Sequence, residues 1–249
     1  MEFQMNRDFT LAKYKELLTA LDGYGYVTLR HDVDRKPLNS LDVARIEREL
    51  GWKSTFYFRA VPESWDASVI LQIASLGHEI GYHYESLATC KGDVEAAYQD
   101  FCKNLEALRR LVPVSSICMH GSPMSKWDSR DLWKRFDYKK LGILTEPYLD
   151  TDFSKVFYLT DTGRRWDGFK VSVRDRIPVY QEEWIKKGWV YHSTDDILDA
   201  IQENTLPKSL LITTHPQRWT DNTSAWIKEL VAQKLKNVIK RTIVAKDCH

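Results

Sequence analysis

An α/β fold in which parallel strands are covered by helices is what the amino-acid sequence predicts. Three observations lead there. Short β-rich runs alternate with helical periodicities over most of the 249 residues, turn signals separate them, and histidines and aspartates recur where the β-rich runs end. A barrel and a doubly wound sheet both satisfy such an alternation.

The first strand is Tyr26 to His31, entered through the turn residues Asp22-Gly23-Tyr24-Gly25. After it Leu41, Ala44 and Leu50 recur at helical spacing. Ser54 to Arg59 is the second strand, Ser68 to Leu76 a helix closed by Gly77, and Glu79 to Tyr84 the third strand. In the clearest helix Val94, Ala97, Phe101, Leu105, Leu108 and Val112 share one stripe, and Pro113 ends it before the run Val114 to Met119. Leu141 to Thr145, Val156 to Thr160 and Leu210 to Thr214 complete the strands, with helices at Asp195 to Glu203 and from Ser224 to about Val238. Glu146 to Gly168 carries few helical signals and many polar and aromatic residues, so long loops are expected there around one short strand.

Composition narrows the function. The 36 Lys and Arg nearly balance the 35 Asp and Glu, which leaves no global field to gather nucleic acid or an anionic membrane, so partners must be recognised locally. Met1 to Thr10 is polar and lacks the apolar core of a secretory signal, and no apolar run is long enough to span a membrane. Cys90, Cys102, Cys118 and Cys248 have no paired spacing and read as free thiols. One cytoplasmic domain over 1–249 is expected, with neither nucleic-acid binding nor membrane insertion.

Functional side chains in parallel α/β folds collect at the carboxyl ends of strands. Here those ends read Arg30-His31-Asp32-Val33-Asp34, Gly77-His78-Glu79-Ile80-Gly81-Tyr82-His83-Tyr84-Glu85, Met119-His120-Gly121-Ser122-Pro123 and Thr213-Thr214-His215-Pro216. Imidazoles and carboxylates from separate strands suit a borderline cation such as zinc, which takes both and leaves a position for water. Asp32 and Asp34, two apart, point the same way on a regular strand, so one can bind a metal and the other accept a proton. Taken alone, a D-x-D is more often a turn or a cap. His31, His83, His120 and His215 at four strand ends, out of seven histidines, carry the argument together.

In this order the motifs resemble those of the NodB-homology polysaccharide deacetylases, carbohydrate esterase family four, over Tyr26 to His215. The resemblance implies a distorted (β/α) barrel of about seven parallel strands and a metal-dependent hydrolase that removes an acetyl group from an N-acetylated sugar. It makes Asp32 the base, Asp34 and His83 metal ligands and His215 the acid. The family's second histidine falls at Leu87 here, so the third ligand must come from elsewhere: His120, which stands where the family has an arginine beside the base, or Glu85, on the strand face of His83. His120 is preferred. A divalent metal, zinc first, is the implied cofactor, and a small glycan precursor of surface polysaccharide synthesis the implied partner. The residue at 87 also supports a rival, a noncatalytic carbohydrate-binding barrel, and an amidase acting on a cyclic ureide or imide is a third possibility.

Gly121 and Ser122 are candidate main-chain donors to an oxyanion. Arg164, Arg165 and Trp166 could clamp an anion and stack on a sugar, against the plainer explanation of a structural Arg–Asp network with Arg174 and Asp175. His78 is expected to bond locally, and His192 to stand at a helix entry.

Overall fold

The computed structural model describes residues 7–121, 125–166 and 175–246, the last eight of them by backbone only. In chain order come α1 (Leu11–Leu21), β1 (Tyr26–Val33), α2 (Pro37–Glu49), β2 (Thr55–Phe58), α3 (Ala67–Ser75), β3 (Glu79–Tyr84), α4 (Ser86–Thr89), α5 (Val94–Arg109) and β4 (Ile117–Met119). There follow α6 (Pro147–Asp150), β5 (Phe157–Thr160), α7 (Pro178–Lys186), α8 (Thr194–Gln202), β6 (Ser209–Thr214) and α9 (Thr223–Lys246). The helices start where the chemistry of capping says they should. Asp66 accepts from Val69 N, Asp93 from Ala96 N and Thr10 from Lys13 N, while Ser193 and Asp196 form a reciprocal capping box.

All strand pairs are parallel, in the order β4-β3-β2-β1-β6-β5, and the sheet curls as a half-barrel. Period-two alternation divides it into unlike faces. Leu29, Val33, Phe56, Phe58, Ile80, Tyr82, Ile117, Leu159 and Ile212 are buried on the helix-covered side. The register puts Arg30 and Asp32 of β1 on the other face, with Tyr57 opposite Asp32, Gly81 opposite Tyr57, Cys118 opposite His83, and Thr213 and Thr160 in line with Arg30. The concave face is thus polar, and a functional site belongs there. One polar island interrupts the apolar face: His31, fully buried, holds Thr214 Oγ1 at 2.7 Å and Glu47 Oε1 at 2.8 Å, and Ser54 and Tyr14 complete the shell of Glu47.

Among the described residues six strands form where about seven were expected. In the Leu141 to Thr145 segment, Tyr138–Leu141 is a 3-10 helix and Gly142 turns the chain at φ 70°, so that Thr145 alone bridges to Ser116. Among the described residues β4 and β5 are not paired with each other, and the barrel does not close by strand pairing. The hydroxyls of Tyr148 in α6 and Tyr158 in β5 lie 3.4 Å apart. No helix among the described residues is long and apolar enough to cross a membrane.

Candidate metal and acid–base site

Three atoms converge at the carboxyl edge of the sheet. Asp34 Oδ1 lies 3.1 Å from His120 Nδ1 and 3.6 Å from His83 Nε2, and the two ring nitrogens are 3.3 Å apart. Ligand atoms held tetrahedrally by zinc at about 2.0–2.1 Å stand roughly 3.3–3.4 Å from one another. The triangle therefore has the dimensions of one face of such a site. His83 Nδ1 is 2.9 Å from the Cys118 carbonyl, which can only accept, so Nδ1 carries the proton and Nε2 is left to face the triangle. Asp34 Oδ1 is buried without a properly formed hydrogen bond inside the protein, as expected of an oxygen kept for a cation.

The local electrostatics favour positive charge there. Burial opposes ionisation of Asp34, yet His120, His83 and His215 together hold its carboxyl well below the usual range. Burial also disfavours the charged form of His83, but the carboxylates of Asp32 and Asp34 outweigh it and push the imidazole upward. An alternative grouping of Asp32, His83 and Cys118 is less suitable, because burial pushes the Cys118 thiol well up and keeps it neutral.

Of the two candidates for third ligand, His120 joins the triangle and Glu85 does not. Glu85 Oε1 accepts from Arg59 Nε at 2.9 Å and Nη2 at 2.7 Å, and its other oxygen is 3.9 Å from His120 Nε2, on the far side of that ring. Leu87 is buried in the apolar core with α4 and faces no site. The strand end bearing His120 is fixed by Glu146, which accepts from Met119 N at 3.0 Å while capping α6 through Tyr148 N and Leu149 N.

Asp32 sits beside the triangle, 3% exposed, with Oδ2 3.8 Å from His83 Nε2 and Oδ1 lacking any hydrogen bond. Arg30, two residues earlier on the same strand face, reaches Asp32 Oδ2 at 3.3 Å and also bonds the hydroxyls of Tyr148 at 2.9 Å and Tyr158 at 3.3 Å. Asp34 lies just beyond β1, and its N–H donates to Asp32 O at 3.1 Å. That turn brings both carboxylates to the centre although the strand ends at Val33. On the other flank His215 Nε2 is 4.0 Å from Asp34 Oδ2, and its Nδ1 is 2.6 Å from Asp161 Oδ1. Asp161, at the end of β5, also accepts from His215 N, Arg218 Nη1 and Trp219 Nε1. The positive groups outweigh its burial and hold the carboxyl low.

Not every sequence candidate arrives here. Trp166 is fully buried, its ring against Phe9 and Trp219 and its Nε1 on Thr194, so it is a core residue and not a platform for sugar. Arg164 lies over Phe9 and Trp226, and Arg165 reaches His192 Nδ1 at 2.7 Å, which places both in a structural network. His31 is on the opposite face of β1, and His78 bonds Ala44 O at 3.0 Å. Gly121 follows His120 at the site; Ser122 and Arg174 lie outside the described residues. Sequence reading missed Asp161 as the partner of His215 and Arg30 as the partner of Asp32. The second was legible, since residues two apart on a strand share a face.

No family model and no curated protein matches the chain. Solved structures do. A family 4 carbohydrate esterase from Streptomyces lividans aligns with a TM-score of 0.45 at 17% identity, over 84% of this chain and 87% of that one. A Streptococcus mutans esterase of the family aligns at 0.45 and 12% identity, over 91% and 86%. A family pseudoenzyme from Bacillus anthracis aligns at 0.46 and 12%, over 85% of this chain but 61% of its own. The solved structures to which this chain is similar are family 4 carbohydrate esterases and polysaccharide deacetylases, at low sequence identity.

Proposed function

We propose that the protein is a metal-dependent hydrolase that removes an acetyl group from an N-acetylated sugar. One observation carries the reading: a three-atom cation triangle flanked on one side by a buried carboxylate with an open oxygen and on the other by a carboxylate-held imidazole. Hydrolysis of an acyl bond needs a base for the water, stabilisation of a developing oxyanion and an acid for the leaving group. Asp34, His83 and His120 would hold a divalent ion, zinc first, whose chemistry is to polarise the acyl oxygen and make water more acidic.

Asp32 Oδ1 takes the proton of the attacking water, while Arg30 fixes the other oxygen of that carboxylate. The water oxygen bonds to the acyl carbon, and the main chain at Gly121 is the candidate donor to the resulting oxyanion. His215 then donates its Nε2 proton to the departing amine as the carbon–nitrogen bond breaks, and Asp161 stabilises the charged imidazole through Nδ1. Acetate and the free amino sugar leave. The noncatalytic alternative rests on Leu87, and a third ligand at His120 would supply what that position lacks.

The test is acetate release by zinc-loaded protein from a panel of N-acetylated sugars that includes nucleotide-linked and lipid-linked amino sugars. Asp32→Asn should retain metal and lower turnover roughly a hundredfold or more. Release that is undiminished in this variant, or sugar binding without release across the panel, would overturn the proposal.

A further inference from the structure

We propose that α9 docks this protein onto an anionic lipid surface through its exposed face. The inference is independent of the reaction proposed above. Its starting point is a helix that carries an apolar stripe turned away from the protein. Ile227, Val231, Leu235 and Val238 are 50%, 52%, 64% and 63% exposed, and their spacing of four, four and three residues places them on one stripe about 80° wide. Single exposed apolar residues are ordinary, but four in register on one helix are a surface that water leaves unsatisfied.

The opposite side of the same helix is engaged with the body. Trp226 Nε1 donates to Asp8 O at 2.7 Å, Glu229 Oε2 accepts from Arg35 at 2.7 Å, and Asn237 Nδ2 donates to Gly163 O at 2.8 Å. Glu229 and Gln233 are 5% and 3% exposed. Helix α9 is therefore fixed in orientation, and its apolar stripe is held outward.

Charge decides what covers the stripe. Exposed Lys228 borders it on one margin and exposed Lys234 on the other. Over its whole length α9 contains Lys228, Lys234, Lys236, Lys240, Arg241 and Lys246 against one acid, Glu229, which faces the body. A second copy packed stripe to stripe would set lysine against lysine with no acid between them. An interface of lipid headgroups and acyl chains satisfies both features, taking the apolar side chains at the acyl boundary and the lysines at anionic headgroups. The nearly neutral charge of the whole chain does not oppose this, because the attraction is local and acts within a Debye length of the surface.

The experiment is co-sedimentation of the full chain with vesicles of phosphatidylcholine alone and of equal parts phosphatidylcholine and phosphatidylglycerol. Binding to the anionic vesicles, weakened by salt, is expected, with little to phosphatidylcholine alone. Val231→Asp with Leu235→Asp, and separately Lys228→Glu with Lys234→Glu, should each lower partitioning roughly tenfold or more. Thermal melting should stay near wild type, since all four side chains are exposed. Absence of anionic-vesicle binding would overturn the proposal. So would equal binding to both vesicle types, or a lipid-free dimer, seen by sedimentation velocity, that Val231→Asp dissociates. Acetate release plays no part in these readings, so failure of this proposal and failure of the proposed reaction are distinguishable.

Discussion

Asp161 Oδ1 lies 2.6 Å from His215 Nδ1, joining the ends of β5 and β6 in a buried carboxylate–imidazole pair that aims Nε2 across the site. If His215 supplies the leaving-group proton, Asp161 is the group that holds its ring through Nδ1. Asp161→Asn keeps the shape and removes the charge. Turnover at saturating substrate should fall roughly a hundredfold or more while zinc content is unchanged, because neither residue belongs to the triangle of Asp34, His83 and His120. Steady-state kinetics alongside metal analysis check this; equal loss of metal and activity would assign Asp161 to the scaffold.

Glu47 is buried beneath β1 among His31, Ser54 and Tyr14. Burial opposes its ionisation, but those partners prevail and hold it below its ordinary 4.5. Such a carboxyl binds fewer protons folded than unfolded as the pH passes through and below that value, so its contribution to stability is present above 4.5 and is lost on acidification. Glu47→Gln should flatten the acid limb of a stability-against-pH curve measured by denaturant titration. His31→Ala should cost about 1–3 kcal/mol near neutral pH, since the buried Glu47 loses one of its hydrogen-bond partners while Ser54 and Tyr14 remain.

At Gly81 the pleat of β3 passes directly under the Tyr57 ring, and an added Cβ would overlap that ring. Tyr57 cannot easily give way, because its hydroxyl is bonded to Ser116 Oγ. Gly81→Ala should therefore destabilise the fold by about 1–3 kcal/mol, read as a lower midpoint in thermal or denaturant unfolding.

The site was legible wherever a strand carried its chemistry at its own end. His83 lies on a buried strand and His215 directly follows one, both with a plain pattern, and Asp32 needs only the alternation of β1. What escaped was set by pairing across the sheet: Asp161 was read as part of a polar loop, and only the neighbouring register of β5 and β6 brings it to His215. His31 was grouped with the site histidines by its place at a strand end, although its odd parity relative to Asp32 already put it on the other face. Trp166 looked like a sugar platform beside two arginines, yet Phe9 and Trp219, both distant in sequence, enclose it. The helix α1 and the helix α7 were not anticipated, and the expected strand at Leu141 to Thr145 reduced to a bridge because Gly142 turns the chain within it.

Zinc stoichiometry of purified wild type, His120→Ala and Glu85→Ala, measured by elemental mass spectrometry after identical loading, tests the account at its centre. The triangle of Asp34, His83 and His120 predicts one ion per chain in the wild type and in Glu85→Ala, and none retained by His120→Ala. Zinc kept by His120→Ala and lost by Glu85→Ala would contradict it.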